Sequence, residues 1–502
     1  LFSQTRARIS AVIGVLLFPL LAPGLPSWAG AGGAEPTPRV DGPITGGTHG
    51  RAFNTWPWPL KDYGYEQAEY FISGTAKAYG VATPPATYKV RIQVLRPINP
   101  GKASGTAIAE WSNVTAQYEI PLGWVWTHPQ VMAAGHVYVN VGAQEVGVCG
   151  NKVPAPGAEV CSPTSLKGWD AERYGSLHHP GDEYSFDIYS QAVQAVLHPG
   201  KVNPVSGLRI QNVIAYGQSQ SSTRLDDYLC NGADARARLI DAAIVDADGG
   251  AGLACRPRVP VIKLWSEESA TPGASTTGPN LRIWMLPGAP HEDAWQSKYE
   301  EAWTNYNNLG QAPSLSGNRE MQADAGNYGQ EALSPSGETA TCLPNGDSYP
   351  HRYANDAAIE ALRVWITRGT PAPTFPSISF AAPSTLVKGA DFERDAYLNV
   401  VGGLRSPVLD VPVATYVGPT CGLFGETIPF TPVQLSQLYP THKVYVDKMY
   451  ASIDAAIRKG SMIPPDGSDL MQRACAAPIG GASSSPCPVI RATSPYQVGL
   501  HG

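Results

Sequence analysis

Val213-Ile214-Ala215-Tyr216-Gly217-Gln218-Ser219-Gln220-Ser221 is the stretch that decides how this chain is read. A short apolar run leads into a serine, and a helix-compatible segment, Arg224 to Leu229, follows it. A serine on a sharp turn between strand and helix is the arrangement of a nucleophile elbow, which holds the hydroxyl clear of the sheet. Such a turn is sterically tight and needs small residues two positions before and two after the serine. Gly217 and Ser221 fill those places. Glycine is usual at both, so Ser221 is a conservative departure.

Working outward, the two-residue alternation of Tyr70 to Tyr79 and Tyr88 to Leu95 predicts strands, and Thr106 to Trp111 and Val137 to Val141 predict two more. Gly123 to Ala134 and Phe186 to Leu197 have helical character. Beyond the elbow come strand candidates Ile240 to Val245, Val259 to Trp265 and Leu281 to Leu286. Ala354 to Thr367 is an amphipathic helix stopped by Gly369 and Pro371, and Val444 to Lys459 is a helix candidate ending at Gly460. Strands alternating with helices predict an α/β fold with a mostly parallel central sheet covered by helices on both faces. In such sheets chemistry gathers at the carboxyl ends of the strands.

The chain has 502 residues, more than the ~100–200 of a typical domain, so one enlarged domain or two are possible. A hydrophobic fraction of 43% with 16% charged residues is that of a globular protein with a sizeable core. The formal charge is −6 and the Lys and Arg residues are dispersed, which argues against a nucleic-acid partner or a polybasic membrane patch. Arg6 and Arg8, the apolar run Ile9 to Ala22 and the small-residue site Ser27-Trp28-Ala29 predict a signal peptide over 1–29. The apolar run is shorter than the ~20 residues needed to span a bilayer, so a secreted or periplasmic chain without stable membrane insertion is expected. Residues 30–60 read as an extended lead-in, 61–475 as one enlarged domain with insertions or a lid at 150–185 and 296–350, and 476–502 as a tail. Eight cysteines suit an oxidising compartment. Neighbour pairing gives Cys149–Cys161, Cys230–Cys255, Cys342–Cys421 and Cys475–Cys487. No Cys/His cluster has zinc spacing, and neither metal nor cofactor is expected.

A serine hydroxyl needs a base to take its proton and an acid to orient that base. On the elbow fold the chain order is serine, acid, histidine. Of the ten histidines, His291, His351 and His442 follow Ser219 short of the terminus, and His291 falls just past the strand ending at Leu286. His351 begins a helix, where packing or capping is the simpler role. For the acid, Glu267 is favoured. Glu268 beside it, and Asp246 and Asp248 after the preceding strand, stay open. An oxyanion hole needs N–H donors where charge develops on the carbonyl oxygen. Gln220 supplies one, and Asn113, after the strand ending at Trp111, is placed to supply the other. Asn113-Val114-Thr115 also matches a glycosylation sequon, which is read as chance. Trp124, Trp126 and Trp169 are candidates for lining a pocket, with core packing the simpler role for any one of them.

Several blocks resemble the alpha/beta hydrolase domain proteins, secreted or periplasmic relatives of carboxylesterases. They are Glu110-Trp111-Ser112-Asn113-Val114-Thr115, Trp169 to Gly175, His179-Pro180-Gly181-Asp182, Ser185-Phe186-Asp187-Ile188, Gly217 to Ser221, Gly288 to Asp293 and Val401 to Pro407. They spread over residues 85–475, so the C-terminal half looks like part of the same unit. The resemblance implies the α/β-hydrolase fold with serine at 219, glutamate at 267 and histidine at 291. Ser221, and Glu268-Ser269 after Glu267, depart from its usual pattern. It implies hydrolysis of a small or polymeric carboxylic ester. A peptidase, amidase or acyltransferase with the same triad, and a silent binding protein on this scaffold, are the alternatives. Substrate, oligomeric state and acyl preference are not legible.

Overall fold

Ala242-Ala243-Ile244-Val245-Asp246 and Val261-Ile262-Lys263-Leu264-Trp265 are buried along their whole length. Near-continuous apolar runs of this kind belong to strands covered on both faces. They form the middle of a ten-stranded sheet in a computed structural model, which describes residues 35–155, 158–309, 346–381, 392–481 and 486–496. The strands are β1 (Arg39–Asp41), β2 (Tyr65–Ala76), β3 (Ala86–Pro97), β4 (Thr106–Trp111), β5 (Val137–Val141), β6 (Val153–Ala155), β7 (Ala158–Val160), β8 (Asn212–Gln218), β9 (Ala242–Asp246), β10 (Val261–Trp265), β11 (Thr277–Gly278) and β12 (Leu281–Met285). The sheet order is β1-β2-β3-β5-β4-β8-β9-β10-β12-β11, and β6-β7 stand apart as a small hairpin. From β5 to β12 every neighbouring pair is parallel. The pairs β1/β2, β2/β3, β3/β5 and β11/β12 are antiparallel.

The two-residue strand period sorts side chains between two cores. On β8, Ile214 and Tyr216 join Trp124, Val125, Ala358 and Leu362 of the helices Leu122–Ala134 and His351–Arg368. Val213 and Ala215 face the opposite core, with Ile188, Ala192, Leu225 and Tyr228 of the helices Ser185–Leu197 and Gln220–Cys230. This is the expected α/β-hydrolase architecture. Extra helices His442–Lys459 and Pro464–Ala476 pack on the first core through Met449, Ile453, Leu470 and Met471.

The two ends of the described chain are more tightly held than their composition suggests. In the lead-in, β1 pairs with β2, and Phe53, Trp56 and Trp58 are buried. Trp56 stacks on Tyr299 of the helix Ala294–Leu309. In the tail, Ala477, Ile479 and Ala492 join the first core. Gly, Pro and Thr richness reports turns and extended backbone, and aromatic side chains bury such backbone as readily as any other. The insertion after residue 150 is tied down by Arg173, whose Nε donates to Glu69 at 2.7 Å. Three of the expected disulfides are present: Cys149–Cys161, Cys230–Cys255 and Cys475–Cys487. The Cys342–Cys421 pairing, the signal peptide and most of the expected lid at 296–350 involve residues outside the described ones. No helix among the described residues is long and apolar enough to cross a membrane.

Candidate active site

Ser219 follows β8 directly and has φ 58° and ψ −124°, a left-handed conformation that a residue with a side chain adopts only when its surroundings force it. Its N–H donates to Asp246 O on β9 at 2.9 Å, and its carbonyl accepts from Ser222 N at 3.0 Å as the helix begins. Gly217 is required here: a Cβ would lie 2.8 Å from Ser221 O and 3.0 Å from Ser222 Cα. Ser221 is tolerated where glycine is usual because its hydroxyl folds back on the turn. It donates to Gln218 O at 2.9 Å and accepts from Gln218 N at 3.0 Å.

His291 Nε2 lies 2.8 Å from Ser219 Oγ. Its Nδ1 is bonded to Glu268 Oε1. The serine and histidine therefore meet as the chain order predicts, while the contact to the imidazole comes from Glu268 and not from the favoured Glu267. Glu267 is buried and points the other way. Its Oε1 accepts from Gly288 N at 2.6 Å and its Oε2 from Gly418 N at 3.0 Å. Burial pushes this carboxyl up to about 7, against the opposing pull of those N–H donors. Strand alternation could not choose between the neighbours, because β10 ends at Trp265 and Glu267–Ser269 is a 3-10 turn.

The other candidates have structural partners. Asp246 accepts from Tyr216 OH at 3.1 Å and Asn355 Nδ2 at 3.0 Å, and its Oδ1 lies 3.3 Å from His351 Nε2. Asp246 and His351 thus face each other in the core. Asp248 pairs with Lys263. His442 Nδ1 lies 2.9 Å from Ile479 O. Trp124 and Trp126 are fully buried, Trp126 donating to Asp293 and packing on His351, while Trp169 stacks on His49.

The N–H of Gln220, the first residue of its helix, has no acceptor within the helix and sits at the positive end of the helix dipole. Asn113 has a different job from the expected one. Its backbone N–H donates to Ile120 O at 3.1 Å, and its side-chain amide donates to Gln218 O at 3.0 Å. It braces the loop after β4 against the elbow. The following N–H, that of Val114, reaches Gln220 Oε1 at a long 3.4 Å. Gln220 Nε2 in turn donates to Gln144 Oε1 at 3.0 Å, which also accepts from Trp111 Nε1 at 3.0 Å.

The histidine loop is held by a part of the chain that periodicity did not single out. Ala414–Val417 and Glu426–Pro429 form an antiparallel hairpin. Its connection bonds Glu292 N through Leu423 O at 2.9 Å. At Gly425 a Cβ would lie 2.8 Å from Pro290 Cβ. Glu292 itself is raised above the usual carboxylate range by burial and by the neighbouring Glu300. The glycines of Val417-Gly418-Pro419 and Phe424-Gly425-Glu426 were the one sequence signal of such close packing. Among the described residues no group of His, Cys, Asp and Glu could hold a metal ion.

The alpha/beta hydrolase domain family matches residues 40–472, and the chain belongs to that family. No curated protein matches it. Among solved structures it is similar to brefeldin A esterase, a bacterial homologue of human hormone-sensitive lipase (15% identity, 39% of this chain and 43% of that one, TM-score 0.22). The chain thus spans less than half the length of that enzyme. It is also similar to a glucuronoyl esterase from Solibacter usitatus (9% identity, 50% and 72%, TM-score 0.26). A third is a lidless α/β serine hydrolase from Xanthomonas campestris (13% identity, 48% and 96%, TM-score 0.27). At TM-scores this low, none of them bears on substrate or mechanism.

Proposed function

We propose that this protein is an exported serine hydrolase that cleaves carboxylic esters through Ser219, His291 and Glu268. The observation that carries the reading is the relay itself: Ser219 Oγ at 2.8 Å from His291 Nε2, with Glu268 on Nδ1 of the same ring. With Nδ1 protonated and donating to Glu268, Nε2 is free to accept the serine proton. Ser219 attacks the ester carbonyl as its proton passes to Nε2. The tetrahedral oxyanion is stabilised by the N–H of Gln220, with the N–H of Val114 as the second donor in place of Asn113. His291 protonates the leaving alcohol, then activates water to release the acid from the acyl-enzyme. Glu268 accepts from Nδ1 and holds the imidazolium. Export is supported by three disulfides among the described residues, which persist in oxidising compartments.

Labelling with a fluorophosphonate probe, beside a panel of p-nitrophenyl esters and matched amides, tests this reading. Wild type is expected to be labelled at Ser219 and to turn over esters. Equal labelling of Ser219→Ala sinks the nucleophile, and turnover of amides alone sinks the ester assignment.

A further inference from the structure

Two adjacent glutamates lie in the 3-10 turn after β10, and of the two it is Glu268 that bonds the histidine. Glu267 lies 1% exposed, and each of its oxygens takes one backbone N–H. The two N–H groups come from distant parts of the chain. Gly288 opens the turn that carries His291, and Gly418 follows the first strand of the 414–429 hairpin. Neither glycine leaves room for adjustment. Gly288 has φ +83°, and a Cβ there would meet Tyr416 Cβ at 3.1 Å. At Gly418 a Cβ would lie 2.4 Å from Ala289 O and 3.0 Å from Glu267 Cβ. The backbone of Glu267 is stitched to the same turn, its N–H donating to Ala289 O at 3.1 Å. On the far side of the histidine, Leu423 O accepts from Glu292 N.

From this geometry we infer that Glu267 is a positioning residue. Its carboxylate joins the histidine turn to the 414–429 hairpin, so that the hairpin, far downstream in sequence, fixes where His291 stands relative to Ser219. The inference rests on the relay proposed above. The physical reason is that a two-oxygen acceptor between two N–H donors sets both donors at once. An apolar residue in its place would leave two buried N–H groups unpaired. A glutamine would satisfy one and set its own NH2 against the other. Glu268 then orients the ring, and Glu267 places the turn on which the ring is mounted.

The test is the rate of fluorophosphonate labelling at Ser219, with KM for a p-nitrophenyl ester, in wild type, Glu267→Gln, His291→Ala and the double variant. Glu267→Gln is expected to label about 10–100-fold more slowly, as a small displacement of a reacting group costs, with KM nearly unchanged. In the His291→Ala background the same substitution is expected to change the residual rate hardly at all, because its effect runs through the imidazole. Undiminished labelling of Glu267→Gln overturns the inference, and so does an equal loss in the His291→Ala background. If wild type is not labelled at Ser219, the relay itself fails, which is a separable outcome. Should Glu267→Gln not fold, hydrogen exchange on wild type decides: the amides of Gly288 and Gly418 are expected to be protected and to open together. Fast or independent exchange of the two overturns the inference.

Discussion

The serine side of the proposed site and the histidine side are built in different ways. Ser219 stands on a turn shaped mostly by contacts within a few residues, Gly217 against Ser221 O, Ser221 Oγ on Gln218 and Ser222 N on Ser219 O, with Asp246 O and the Asn113 side-chain amide as its long-range bonds. His291 stands on a turn held by Glu267 and Glu268, by Gly418 and by Leu423 O, segments far apart in the chain. A local steric constraint leaves a local motif, whereas a long-range one leaves only scattered glycines and carboxylates. The serine turn leans mostly on its own neighbours, and the histidine turn depends on segments far along the chain.

The sharpest way to break the comparison is at the serine. Ser219→Ala is expected to lower kcat/KM for an ester by about 10⁴-fold or more, with residual rate from the oxyanion donors and binding alone. Thermal melting should be nearly unchanged, because the serine hydroxyl is not what holds the turn. On the base side, Glu268→Gln is expected to cost about 10²–10⁴-fold in kcat, since a neutral partner no longer holds the ring or the imidazolium. Loss on that scale in kcat for Asp246→Asn, with Glu268→Gln near wild type, would move the acid to the buried Asp246–His351 pair.

A third variant probes what supports the helix after Ser219 from outside. Cys230–Cys255 ties the end of that helix to the β9–β10 connection across 25 residues of chain. Removing it with paired serines is expected to lower unfolding free energy by about 3 kcal/mol while leaving the labelling rate at Ser219 close to wild type. Denaturant unfolding and probe kinetics on the same sample check both halves.

A last prediction concerns Glu110 on β4. It accepts from Gly123 N at 2.8 Å and is bonded to Tyr138 OH, and burial pushes it up to about 8. Its folded value thus exceeds the ordinary 4.5 of an exposed glutamate. The folded state holds an extra proton between those values, so this group's contribution to stability falls as pH rises from 4.5 through 8. Glu110→Gln mimics the protonated form and is expected to flatten the stability profile between about pH 6 and 8 by roughly 1.4 kcal/mol per pH unit. An unchanged slope would mean Glu110 is ionised in the fold.

These expectations also show how far the residues could be read directly. β4 and β5 coincide with their sequence runs, Thr106 to Trp111 and Val137 to Val141, because alternation and apolar continuity report burial face by face. Ser219 and His291 were legible because both sit just past strand ends, where backbone geometry exposes side chains whatever lies around them. The division of labour between Glu267 and Glu268 was not, since a 3-10 turn has no two-residue period to carry a side chain's direction. Asn113 was correctly placed beside the elbow, yet its N–H and side-chain amide are turned to backbone carbonyls. Which donor remains for an oxyanion depends on the loop's partners.

By itself the sequence determined an α/β fold with a mostly parallel sheet, the elbow and the chain order of its partners, because these follow from local sterics and periodic burial. Tertiary structure alone decided which glutamate meets His291, that Asp246 and His351 face each other in the core, and that a hairpin at 414–429 braces the histidine turn. Those are choices among neighbours made by packing, and packing brings together residues whose spacing along the chain carries no record of the meeting.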